Sequence, residues 1–363
     1  MSKSVGFTTR GVLGAMVCLA LTVAPIPATA APAAPESSRI PFKQRYRATY
    51  HGGIVRAANS AITCRSPKSS AAASCSAVKK GAAGANSDFD MFYVDVDDDP
   101  NTYNSSRAQL AVPKNSRVRY ARLYWGGNLR VGEQKPPKDN GRILIAEPGG
   151  EYKEVLADTR VAHRDADGSD AFQASADVTP LVRRSGSGLY TVAQINVAMG
   201  HSKVGSWGGW TLVVAYENSR EPKRHLAIWD GFETLNAARK NHSLTVKGLR
   251  IPARAGGRAG FVSYDGDRGL RDGASVRAGN RKPVALTNSA NPANDAMNST
   301  ITDVKRPGIK RQPSYVNTLG YDSDVFDIKR ALTSGGGSLT FRFSAESRGY
   351  FLGALFLQAD SRR

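Results

Sequence analysis

The chain predicts an all-β protein, and three observations carry that expectation. Short apolar or alternating runs recur from about Arg45 onward, divided by Gly, Asn, Asp and Pro. The 36 glycines and 18 prolines supply turns at short intervals. Helical periodicity is scarce, so antiparallel sheets must bury the apolar faces.

The best strand signals in the first part of the chain are Met91–Val96, Val118–Trp125, Tyr190–Val197 and Trp210–Tyr216. Leu226–Trp229, Ser243–Leu249, Ser338–Phe343 and Tyr350–Gln358 follow. They are rich in β-branched, aromatic and other apolar residues and are bounded by turn formers. Asp177 and Asp324 are expected to cap two short helices, Val178–Arg183 and Val325–Ala331, since an Asp carboxylate satisfies free first-turn N–H groups.

A weak internal repeat orders these elements. Ala48-Thr49-Tyr50-His51-Gly52 is echoed by Val262-Ser263-Tyr264-Asp265-Gly266. Asn86 through Met91, then Asn104-Ser105-Ser106, is echoed by Asn291 through Met297, then Asn298-Ser299-Thr300. Asp177-Val178 and Asp324-Val325 each precede a Gly-rich turn and a strand, and Trp210–Tyr216 and Tyr350–Leu357 close each half. Four matches in one order predict duplication of an antiparallel, jelly-roll-like β-sandwich. The units are expected at 44–219 and 220–363, meeting at Asn218–Pro222. One continuous large sandwich is the competing arrangement.

Residues 1–30 have the layout of a signal peptide: Lys3 and Arg10, the apolar run Val12–Val23, then the cleavage site Ala28-Thr29-Ala30. A dozen apolar residues fall short of the ~20 needed to span a bilayer. Cys18 lies inside the run, away from a lipoprotein cleavage position. Residues 31–43 are expected to be a Pro/Ala-rich leader with nothing to bury. The mature protein should start at Ala31, be exported, and keep no transmembrane segment.

Lysine and arginine number 50 against 31 acids, a net charge of +19, of which +17 remains once Lys3 and Arg10 leave. Such a balance draws a protein toward polyanions such as anionic wall polymers or acidic polysaccharide. A purely solubilising charge is the plainer alternative. The excess is +6 over 31–219 and +11 over 220–363. Two basic segments of the second half are therefore the expected ligand surface: Arg277, Arg281 and Lys282, and Lys305, Arg306, Lys310 and Arg311. No motif points to sequence-specific nucleic-acid binding; charge alone would give a nonspecific, salt-sensitive contact. The mature chain's two cysteines, Cys64 and Cys75, are expected to form a disulfide, because neither a C-x-x-C nor a nearby His supports a metal or redox pair.

Six aspartates crowd Asp88–Asp99. If the strand continues through them, Asp95 and Asp97 share a face about 7 Å apart and are candidate calcium ligands. The EF-hand pattern fails, with Pro100 and Ser106 at its Gly and Glu positions, and a solvated acidic turn is the plainer alternative. Calcium is the one cofactor that these residues suggest. Trp210 and Trp125 are expected in the core, whereas Trp207, in a Gly-rich turn, is the candidate exposed aromatic for stacking on a sugar ring. The five histidines form no H-E-x-x-H and no close pair. There is no P-loop, no dinucleotide fingerprint and no G-x-S-x-G elbow; Gly200–Gly205 misses the last by one position. Paired carboxylates for glycan hydrolysis stay open, because their pairing is spatial.

Several strings are similar to a β-rich module found at the start of secreted and wall-associated, adhesin-like surface proteins of actinobacteria. They include the acidic run Asn86–Asp99, Leu123-Tyr124-Trp125-Gly126-Gly127, Gly208-Gly209-Trp210-Thr211-Leu212-Val213-Val214-Ala215-Tyr216-Glu217, Trp229-Asp230-Gly231-Phe232 and Asn317-Thr318-Leu319-Gly320-Tyr321. The resemblance runs from Arg45 to Asp360 and implies an extracellular β-rich module. The chain ends at Arg363 without stalk repeats, L-P-x-T-G or an apolar anchor, which favours a free or electrostatically retained protein. The expected function is binding or surface-structural, with an extracellular glycan hydrolase as the competing class.

Overall fold

The computed structural model describes Met1 and residues 34–303, 306, 308–346 and 348–362. Residues 2–30 of the expected signal peptide, including Cys18, Ala28 and Ala30, and the candidate ligand residue Lys305 lie outside the described residues. Residues Ala33–Arg363 group as one compact unit.

The first part of the chain forms β1 (Glu36–Ser37), β2 (Ile40–Ser60), β3 (Ile62–Pro67), helix α1 (Cys75–Lys79), β4 (Phe89–Tyr93), β5 (Ser105–Leu110) and β6 (Arg117–Asn128). Next come β7 (Arg142–Ala146), β8 (Lys153–Leu156), β9 (Val161–Ala166), β10 (Ser169–Asp177), helix α2 (Thr179–Ser185), β11 (Gly188–Ala193) and β12 (Gly208–Glu217). The remainder is β13 (Lys223–Leu235), β14 (Asn241–Ile251), β15 (Gly257–Tyr264), β16 (Asp272–Ala278) and β17 (Val284–Ala285). After them stand β18 (Arg311–Gln312), β19 (Tyr321–Asp327), β20 (Gly336–Ala345) and β21 (Tyr350–Asp360). The protein is mostly β, with two α-helices among the described residues.

A ten-stranded sheet runs β1-β9-β10-β6-β12-β2-β13-β21-β15-β19. A five-stranded sheet runs β18-β5-β11-β7-β8, a four-stranded one β14-β20-β16-β17, and β3 pairs with β4. The pleat of β6 explains why its residues serve two cores: Leu123 and Trp125 point one way and Tyr124 the other. The first core joins β6, β10 and β12 to the five-stranded sheet through Trp125, Phe172, Leu212, Ile145 and Tyr190. The second joins β15 and β21 to the four-stranded sheet through Phe261, Leu355, Val276 and Phe341. The third lies within the long sheet, between Tyr124, Ala171 and Val213 on one side and Ile228, Phe232, Tyr264 and Phe351 on the other.

Strand β2 holds the long sheet together. Its Gly52–Ser60 stretch pairs with β12, and its Ile40–His51 stretch pairs with β13. At the changeover Gly52 has φ +151°, and a Cβ there would sit 2.0 Å from the Tyr216 carbonyl oxygen, so only glycine fits. A boundary at residue 219 divides the chain but not this sheet, because β2 pairs on both sides of it.

Three sequence expectations are corrected. The leader 31–43 contains β1 and the start of β2, because its apolar Ile40 and Phe42 find partners on β13 and in the second core. The strand expected over Met91–Val96 ends at Tyr93, where its partner β3 begins at Ile62; the next N–H groups go to Ala61 O and Ser105 Oγ. The helix expected over Val325–Ala331 is absent. Tyr321–Asp327 alternates with period two and pairs with β15, placing Tyr321 and Val325 in one core and Phe326 in another. The capping Asp is instead Asp327, whose carboxylate accepts from Lys329 N at 2.8 Å and opens a series of turns. Helix α2 forms one residue later than expected, and α1 is capped by Ser74, which accepts from Ala77 N.

Candidate anion-binding cleft

A cleft of 380 Å³ opens between the start of β2, the end of the β8–β9 connection, β10 and β13. Its floor is Gln173, Ser175, Asp230 and Gly231, and its walls carry Arg39, Lys43, Arg45 and Arg160. The floor's polar atoms are already committed. Gln173 donates to Gly231 O and Gly353 O and accepts from Tyr264 Oη. Ser175 Oγ accepts from Arg122 at 2.8 and 3.1 Å.

At the floor lies a partly buried ion network. Arg45 grips Asp230 with two bonds of 2.8 Å, and Tyr124 Oη donates to the same carboxylate at 3.0 Å. Arg122, 2% exposed, donates to Asp158 at 2.6 Å and lies 3.6 Å from Asp230. Burial works against the charge on Arg45 and Arg122, but their Asp230 and Asp158 partners outweigh it and hold both pKa values above the ordinary arginine value. Burial together with the Asp230 charge pushes the Tyr124 phenol well up. The network therefore consists of neutralised pairs.

The rim is different. Arg39, Lys43 and Arg160 are exposed, and none has a carboxylate partner among the described residues. Three uncompensated cations beside a concave, hydrogen-bonded floor create a positive potential that an anionic group can enter.

A family model described as "Protein of unknown function (DUF3344)" matches residues 84–357. The chain belongs to this family. No curated protein matches it. The match includes Arg160, Gln173, Ser175 and Asp230, whereas Arg39, Lys43 and Arg45 precede it. The cleft is thus completed by residues outside the matched region.

The candidate ligand residues are scattered. Arg277 lies on β16, and Arg281 and Lys282 are exposed in the β16–β17 turn of the four-stranded sheet. Arg306 donates to Ala111 O, and Arg311 donates to Tyr315 O and Asn59 Oδ1 from β18, on the five-stranded sheet. Burial presses the Arg311 guanidinium down to about 10. Arg306 and Arg311 thus tie the second half to the first, while Lys310 is exposed. Trp207 is fully buried, packed on Tyr264 and Phe351, which corrects its expected exposure. The wide apolar surface of an indole favours this interior over solvent even from a Gly-rich segment.

Cys64 and Cys75 form the disulfide, with Cα atoms 5.7 Å apart. Asp95 is exposed, beyond the strand end, and its Oδ1 accepts from Ser105. Asp97 accepts from Asp99 N, Thr102 Oγ1 and Tyr152 Oη. These two carboxylates organise a turn and do not project together from a strand. A 630 Å³ hollow beside them gathers Asp97, Asp99, Glu147 and Glu151 around Arg107 and Tyr152.

The cleft cations do not stand out in the sequence, because the segment holding Arg39 and Lys43 follows a Pro/Ala-rich stretch with the composition of a leader. The density of Arg39, Lys43, Arg45 and Arg47 within nine positions was the available signal. No helix of the described residues is long and apolar enough to cross a membrane.

Proposed function

We propose that the protein is an exported binding module whose cleft receives an acidic group, a phosphate or carboxylate, of a wall polymer or polysaccharide. One observation carries this reading: Arg39, Lys43 and Arg160 surround the cleft without acid partners among the described residues, while Asp230, the acid on its floor, is paired with Arg45. The Cys64–Cys75 disulfide supports an oxidising compartment, and the signal-like first thirty residues and the adhesin-like resemblance agree with export.

The strand orders support a duplicated sandwich. β2-β12-β6-β10 corresponds to β13-β21-β15-β19, and β5-β11-β7-β8 corresponds to β14-β20-β16-β17. Helix α2 after β10 has its counterpart in the turns after β19, and Asp177 and Asp327 make the same 2.8 Å bond to the backbone N–H two residues on. The cleft then lies where two copies of one unit meet.

Binding is favoured over hydrolysis. A single carboxylate, Asp230, lines the cleft, whereas glycosidase chemistry needs two. In the acidic hollow, partial burial raises Asp97, but bonds from Tyr152 and its turn outweigh it and hold it below the usual carboxylate range. The Lys153 partner does the same for Glu147. Neither has the raised pKa of a general acid.

The test is retention on isolated cell wall, with and without its teichoic fraction. The double variant Lys43→Glu, Arg160→Glu should bind at least about tenfold more weakly with its melting temperature unchanged, and binding should fall as salt rises through a few tenths molar. Retention that ignores both salt and the substitutions, yet yields to a neutral oligosaccharide, would reject the proposal.

A further inference from the structure

Away from the cleft, the second half buries a cluster of oxygen atoms with too few hydrogens. Four side-chain oxygens surround the hydroxyl of Thr300: Asn291 Oδ1 and Asn298 Oδ1 at 2.9 Å, and both oxygens of Asp324 at 3.2 Å. A hydroxyl has one proton to donate. Both amides are oriented from their far sides. Asn291 Nδ2 donates to Asn288 Oδ1 at 3.1 Å and to Thr302 Oγ1 at 3.0 Å, and Asn298 Nδ2 donates to Ala290 O at 2.8 Å. Their oxygens therefore both point at Thr300, and at least one receives no hydrogen. With Asn291 at 0% and Asn298 at 3% exposure, bulk water does not reach them, and an unmade bond there is costly.

The surroundings add a second carboxyl group. Asp322, on the same face of β19 as Asp324, accepts from Thr300 N at 2.9 Å through Oδ1, while its Oδ2 has no hydrogen-bond partner among the described residues. Arg56 lies nearby but donates to Thr302 O and Ser323 O, not to the carboxylate. Oxygens roughly 3 Å apart match neighbouring ligands around a cation bound at about 2.3–2.6 Å.

We propose that Asn291 Oδ1, Asn298 Oδ1, Thr300 Oγ1 and the Asp324 carboxylate hold a calcium ion. The all-oxygen set suits a hard cation, and a nest of buried protein oxygens suits calcium over magnesium, which keeps several waters. No three His, Cys, Asp or Glu side chains of the described residues converge as a metal set; amides and a hydroxyl make up this one. The ion would fasten the connection from β17 toward β18 onto β19.

The test uses the full chain, stripped with chelator and titrated with calcium chloride. Calcium should raise the melting temperature by about 5 °C or more near millimolar concentration, with magnesium much weaker. Elemental analysis should find about one calcium per chain. Asn298→Ala and Asp324→Asn should each weaken calcium binding at least about tenfold. If those variants fail to fold, Thr300→Ser should keep the response and Thr300→Val should lose it. Wild-type protein that binds no calcium and shows no shift overturns the proposal. So does calcium binding that Asp95→Ala or Asp97→Ala removes and Thr300→Val spares.

Discussion

The phenol of Tyr124 on β6 donates a 3.0 Å hydrogen bond to Asp230 on β13, although β12 and β2 separate those strands in the sheet. The bond requires the long sheet to fold back on itself, and the positive cleft opens beside that fold. Asp230 also neutralises Arg45 and faces Arg122, so one carboxylate joins three strands.

Removing that carboxylate should be expensive. Asp230→Ala leaves Arg45 and the buried Arg122 short of a counter-charge and should destabilise the protein by about 3–5 kcal/mol. Urea unfolding should show a lower midpoint, with Asp230→Asn milder because it still accepts from Tyr124. An unchanged midpoint for the alanine variant would mean the network contributes nothing net.

The approach to the cleft should depend on pH. His163 bonds Glu36 on β1 through Nδ1 and Asp170 through Nε2, both at 2.7 Å. Burial lowers its pKa, but the two carboxylates outweigh this and raise it above 6.5. A raised histidine pKa means the folded state holds the proton more tightly than the unfolded chain. The stabilisation is therefore complete below about pH 6.5 and is lost as pH rises through the folded value. Hydrogen-exchange protection over Glu36–Lys43, relative to the intrinsic rate at each pH, should fall across that window, and His163→Gln should abolish that fall.

Gly52→Ala should be disruptive out of proportion to one methyl group. The new Cβ would meet the Tyr216 carbonyl at 2.0 Å in a backbone conformation that side chains rarely adopt, so a loss above about 2 kcal/mol is expected. Calorimetry checks it. Because β2 joins both parts of the sheet, one cooperative transition should shift; two separated transitions would show that the halves unfold independently.

Cys64→Ser should cost about 2–3 kcal/mol, the loop-closure value for an eleven-residue span. Reductant should destabilise wild type by a similar amount and leave the variant unaffected, as measured by denaturation.

How much of this was legible follows from where the information resides. The β class, the strands around Trp125, Trp210 and Phe356, helix α2 and the Cys64–Cys75 pair were readable, because side-chain alternation, turn residues and cysteine spacing are local. The end of β4 was not, because a strand stops where its partner stops, and β3 lies some thirty positions earlier. Asp324 has the chemistry of a helix cap, yet β15 claimed its strand. The echo of Ala48–Gly52 in Val262–Gly266 was no guide to sheet position for the same reason: β2 lies between β12 and β13, whereas β15 lies between β21 and β19.

By itself the sequence determined the net charge, the turn-rich β texture and the disulfide, since these depend on composition and short spacings. Tertiary structure decided which charges are free. It buried Trp207, bound Arg306 and Arg311 to backbone carbonyls, and left Arg39, Lys43 and Arg160 around one hollow with no acid partner among the described residues. An ion pair depends on distance in space, and pairs such as Arg45–Asp230, 185 residues apart, come within reach only when the long sheet folds over.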